Sequence, residues 1–181
     1  MKEALKIREN PGAYRISSLT AQLRPLINES AGDDVFKEKL KSMKYVERGN
    51  NKLIKYLFAT LNEYHKWYDD NAEGKPKAEK GKIINFEDVS IEHIFSQSPQ
   101  DGDTIPDGLD DVNELKNLTI LTLKENGDRV KNKKYEIKRD VYIDSEYDIN
   151  TRFSQYEEWN NEAMNDWLNY ILDLSCKIFV I

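Results

Sequence analysis

Cysteine, histidine and long apolar runs are all scarce in this chain of 181 residues. Its one cysteine, Cys176, excludes an internal disulfide and any zinc site built on several thiolates. No apolar run reaches the roughly 18 residues of a membrane-crossing helix. The opening stretch MKEALKIREN lacks the apolar core of a signal peptide, so a cytoplasmic, membrane-free location is expected. Positive charge is in deficit as well. A net charge of −6 and a pI near 5.1 argue against a protein that grips nucleic acid by bulk charge.

The charge is nevertheless unevenly spread. Residues 101–114 carry Asp101, Asp103, Asp107, Asp110, Asp111 and Glu114 with no base among them. Residues 116–139 carry eight bases against three acids, a local excess of +5. An acidic loop thus leads into a basic segment. With 39% hydrophobic and 33% charged residues, the composition fits one globular domain or two small packed units.

The first half reads as helices. Leu19, Leu23, Leu26 and Ile27 mark one segment, and Val35, Phe36, Leu40 and Met43 a second. Leu53, Ile54, Leu57, Phe58, Leu61, Tyr64, His65 and Tyr68 recur at helical spacing and predict a core helix. The polar stretch 69–82, with two glycines and a proline, suggests a boundary between a helical unit over 1–78 and a second unit over 79–181. There the pattern changes. Val89, Ile91 and Ile94 enclose Glu92 and His93 in a β-like stretch, and LTILTL (118–123) reads as a buried strand. Thr122 and Glu125 have capping-box spacing, and Asn132 suits the cap of a helix bearing Tyr135, Ile137 and Val141. A short helical piece around Phe153 and a longer helix from Met164 to Ile178 close the chain.

Three polar elements interrupt these apolar patterns: Glu92-His93, Asn117 just before the second strand, and Asn126 just after it. Phosphodiester hydrolysis needs a base of near-neutral pKa, and histidine supplies one. It also benefits from a cation that neutralises the transition state and the leaving oxygen. The oxygens of Glu92 and Asn126 suit Mg2+ or Mn2+ better than zinc. A buried amide such as Asn117 can hold the base in orientation.

Ile91-Glu92-His93-Ile94, then Lys116-Asn117-Leu118-Thr119-Ile120-Leu121, then Asn126, Asn132, Tyr135 and Lys138 resemble the HNH module called DUF1524. That module forms the C-terminal part of GmrSD-type modification-dependent restriction enzymes and related phage-defence nucleases. The resemblance spans about residues 83–178, with a weaker echo in 50–64. It implies an α+β, mostly helical fold, in which an HNH ββα-metal module is flanked by helices. It further implies His93 as general base, Asn117 as the residue that orients the site, and Glu92 and Asn126 as metal ligands. Beside such a site the basic stretch 129–139 is read as the DNA contact, through Arg129, Asn132, Lys134 and Lys138, of which Asn132 and Lys138 also match family positions. The implied partners are DNA and a DUF262-type NTPase or sensor domain or subunit, with a homo-oligomer left open. No DUF262 segment is visible, so the chain is expected to be the nuclease half of a larger system. Ser96 stands where the family usually has proline, Lys116 where it has glycine, and Asp166-Trp167 where an arginine is common.

Plainer readings apply to several of these residues. His65 lies on the apolar stripe of its helix and reads as a packed core histidine. Trp159 and Trp167 read as core or interface rather than base-stacking platforms, and Cys176 as no nucleophile. The leading function is a metal-dependent endonuclease that nicks DNA. The alternatives are a non-catalytic nucleic-acid-binding or regulatory partner that keeps the fold, and an RNA-cleaving toxin.

Overall fold

The computed structural model describes residues 21, 24–25, 32–85, 88–99, 104–127 and 130–179. Apart from Ala21, Arg24 and Pro25, the segment expected around Leu19 to Ile27 lies outside them, as does Arg129. The chain divides into two compact units, one reaching Lys39 and one running from Leu40 to Val180. The boundary expected near residue 78 falls inside the second unit, which holds every described candidate site residue.

Helix α1 spans Asp33–Lys41, with Asp33 and Asp34 in its first turn, where the helix dipole favours acids. Helix α2, Lys52–Asp69, buries Ile54, Leu57, Phe58, Leu61 and His65, most of the stripe read from the sequence, while Leu53 at its start is exposed. Segment 69–82 is tied back to α2. Trp67 Nε1 donates to the Gly74 carbonyl at 3.1 Å, and Glu63 accepts from the Glu79 amide at 3.0 Å. A short helix α3, Lys80–Ile84, follows.

Strands β1 (Val89–His93) and β2 (Leu118–Thr122) pair antiparallel, with Ile91 opposite Ile120 and His93 opposite Leu118. A long loop joins them and ends in a 3-10 turn at Leu115–Asn117. After β2, the expected capping box forms: Thr122 N donates to Glu125 Oε2 at 2.9 Å, and Glu125 N to Thr122 Oγ1 at 3.2 Å. Helix α4 spans Tyr135–Ile143. Its N-cap position is Lys134, not Asn132, which is exposed in a left-handed turn at φ 56°. Asparagine tolerates that backbone better than most residues. A 3-10 stretch, Asp148–Gln155, leads to helix α5, Asn161–Ile178, capped by Asn160 Oδ1 on the Ala163 amide at 3.0 Å.

An aromatic cluster ties these elements to the sheet. Trp167 is fully buried, stacks on Phe58 of α2 with ring centroids 6.2 Å apart, and donates to the Leu118 carbonyl of β2 at 3.0 Å. Phe153 packs against Trp167, Trp159 and Tyr142. Among the described residues, no helix is long and apolar enough to cross a membrane. The architecture is α+β and mostly helical, with one small two-stranded sheet.

Candidate active site

Alternation along β1 decides where the Glu-His pair points. Successive side chains leave a strand on opposite faces. Glu92 therefore turns towards α4, and His93 towards the loop between the strands.

On the α4 side, Lys138 Nζ donates to Glu92 Oε1 at 2.7 Å and to the His93 carbonyl at 2.7 Å. The Tyr142 hydroxyl donates to the same Oε1 at 3.1 Å. Helix geometry brings both donors together, since residues four apart share a face. Glu92, Lys138 and Tyr142 are all buried. Burial pushes the Glu92 carboxyl up and the Lys138 ammonium down, and their mutual attraction opposes both shifts. Burial also raises the Tyr142 phenol well above its usual range, so it remains a donor.

On the other side, His93 is 8% exposed and meets Tyr45 edge to face, with ring centroids 4.8 Å apart. Its Nε2 lies 3.1 Å from Asn113 Oδ1. Backbone pairing holds Tyr45 there: its amide donates to the Asn113 carbonyl at 2.9 Å, beside an isolated bridge between Lys44 and Glu114. Burial holds the His93 imidazole neutral, with its pKa lowered to about 4.

Asn117 lies between these features, fully buried and using both ends of its amide. Its Nδ2 donates to the carbonyls of Phe95 (2.9 Å) and Val112 (2.8 Å). Its Oδ1 accepts from the Phe95 amide (2.7 Å) and Trp159 Nε1 (3.1 Å). Among the described residues, no hydrogen bond joins the Asn117 side chain to His93. It staples the chain just after His93 to the chain just before Asn113.

Asn126 is placed differently. Its Nδ2 donates to Ser90 Oγ at 2.8 Å and to the Ile91 carbonyl at 3.1 Å. A carbonyl can only accept, so the amide is fixed with Oδ1 turned away from β1. Ser90 and His93 lie on opposite faces of β1, three residues or about 10 Å apart, whereas Ser90 and Glu92 share a face. Among the described residues, no hydrogen bond joins Asn126 to Glu92 or His93.

These placements bear on the expected cation. Glu92 already carries an ammonium and a phenol donor, and Asn126 presents its NH2 end to the strand. The two residues do not fit a Mg2+ or Mn2+ ion held between them. Among the described residues there is also no cluster of three or more His, Cys, Asp or Glu suited to a metal. Lys138, expected at a phosphate, is 1% exposed and serves Glu92 instead. Lys134 and Asn132 are exposed near the start of α4. Ser96, in place of proline, is buried and donates to the Lys133 carbonyl at 3.2 Å, tying the loop after β1 to the approach to α4. His65 is the core histidine its helix position implied, with Nδ1 2.6 Å from the Asn62 carbonyl.

Tyr45, Asp111, Asn113 and Tyr142 were not singled out from the sequence. One local signal was there. Asp-x-Asn at 111–113 has the spacing of an aspartate that accepts from the backbone two residues on, and Asn113 N donates to Asp111 Oδ1 at 2.9 Å.

A family model described as GmrSD restriction endonucleases, C-terminal domain, matches residues 30–174. No curated protein matches the chain.

Proposed function

Because the chain belongs to the family of GmrSD restriction endonuclease C-terminal domains, we propose that it hydrolyses DNA phosphodiester bonds as an HNH-type endonuclease with His93 as general base. The observation that carries this reading is geometric: His93, at the sheet end next to the loop, is held through one ring nitrogen, with Nε2 3.1 Å from Asn113 Oδ1. Such a base takes a proton from water as the water oxygen attacks phosphorus and the bond to the 3′ oxygen breaks, and the leaving 3′ oxygen takes a proton from solvent. The products are a 5′-phosphate and a 3′-hydroxyl. A positioned base of this kind contributes about 10²–10⁴ in rate.

One such site cuts one strand, so nicking is the elementary event. Exposed Asn132 and Lys134 contact the phosphate backbone in this reading. Dependence on Mg2+ or Mn2+ belongs to the proposal, but Glu92 and Asn126 as a ligand pair do not. The biological setting proposed is the effector of a restriction or phage-defence system, controlled by a DUF262-type partner.

A second reading has one observation in its favour. Glu92 committed to Lys138 suits a chain that keeps the fold and binds nucleic acid without cutting it. Supercoiled plasmid incubated with purified protein in Mg2+, in Mn2+ and in EDTA separates the two, with an RNA substrate in parallel. The nuclease reading expects relaxed circles from wild type and none from His93→Ala. No relaxation in any metal, or equal relaxation by the variant, refutes it.

A further inference from the structure

His93 has two ring nitrogens, and only one can be the base. The structure decides between them through the neighbours of Asn113. Asp111 Oδ1 accepts from both Asn113 N and Asn113 Nδ2 at 2.9 Å. A carboxylate only accepts, so the Asn113 amide cannot flip without losing this contact. Lys44 Nζ holds the other oxygen of Asp111 at 3.1 Å. Asn113 Oδ1 therefore faces the opposite way. There it accepts from Gln97 Nε2 at 2.9 Å and lies 3.1 Å from His93 Nε2. An amide oxygen cannot donate, so the proton on that bond sits on Nε2 of the imidazole. Nδ1 makes no hydrogen bond among the described residues.

We infer that Asn113 is the positioning residue of the site: it holds neutral His93 as the Nε2–H tautomer and leaves Nδ1 as the nitrogen that takes the proton from water. Asp111 and Lys44 lock Asn113, Gln97 shares its oxygen, and the Tyr45 ring packs against the imidazole from the adjoining segment. Part of the acidic loop thereby acquires a role, since Asp111 fixes an amide that in turn fixes a histidine. The catalytic half of the inference rests on the proposed nuclease reading. The tautomer does not.

The test uses the full-length chain, labelled with 15N, which has only two histidines to distinguish. Ring 15N–1H correlation spectra near pH 7 report which nitrogen carries the proton, and His65→Gln assigns the signals. Wild type should show His93 as a single Nε2–H tautomer. Asn113→Ala should show a mixture of tautomers with nicking reduced about 10–100-fold, the usual scale for losing such a supporting hydrogen bond. Asp111→Asn frees the Asn113 amide and should give a smaller shift of the same kind. It also serves if Asn113→Ala does not fold. A wild-type Nδ1–H tautomer overturns the inference with no variant needed. So does an Asn113→Ala protein that folds with the wild-type tautomer and rate. Wild type that shows the Nε2–H tautomer but cuts nothing overturns the nuclease reading and leaves the placement of the proton standing.

Discussion

Lys138 Nζ lies 2.7 Å from Glu92 Oε1 in the interior, and both side chains are almost wholly removed from solvent. The cation seated on Glu92 is the chain's own ammonium. This makes Glu92 a structural anchor between β1 and α4. Removing one member leaves the other buried and unpaired, at a cost of about 3–5 kcal/mol. Glu92→Gln should therefore lower stability by about that amount in urea unfolding. Added Mn2+ should not restore its nicking. Pairing it with Lys138→Met should recover much of the stability. A metal ligand would behave the other way, with near-normal stability and rescue by excess Mn2+.

Acid sensitivity follows from His93. Its pKa falls from 6.5 to about 4 on burial, so between those values the unfolded chain binds a proton that the folded chain refuses. The stabilisation is complete above about pH 6.5 and is lost as pH falls towards 4. Thermal unfolding midpoints should drop across that window, and drop less in His93→Gln. The same shift keeps the base neutral. The acid limb of the nicking rate should therefore lie nearer pH 4 than 6.5.

Asn117 makes four hydrogen bonds from a fully buried side chain. Asn117→Ala strands the two carbonyls, the Phe95 amide and Trp159 Nε1, and should cost about 3 kcal/mol in unfolding measurements. Backbone hydrogen exchange should rise at Phe95 and around Val112, where the staple is lost, and not along α2.

Two lysines of the basic segment should part company. Lys134 is exposed, and Lys134→Ala should weaken binding to any duplex and reduce the salt slope by about 1. Lys138→Ala should instead unfold the protein at lower denaturant.

The helices were legible because their apolar residues recur every three to four positions, and the capping box at Thr122 and Glu125 was legible because it is local. Asn117 was found for the same reason: a buried polar residue beside an apolar strand needs a reason to be there. The fate of Glu92 was not legible. Its partner lies 46 residues away on α4, and an exposed lysine at 138 would look the same in sequence. Strand alternation sends the neighbours Glu92 and His93 to opposite faces of β1, which adjacency in sequence does not display. Asn113 stayed hidden within an acidic loop, because its importance depends on where residue 93 ends in space.

The central claim is that His93 is the base, and single-turnover cleavage of one labelled duplex tests it most directly. Wild type and His93→Ala would be compared at matched folding and saturating protein, with His65→Gln as the control histidine variant. The account predicts a loss of at least about 100-fold for His93→Ala and near wild-type cleavage for His65→Gln. A folded His93→Ala protein that cuts at the wild-type rate would contradict it.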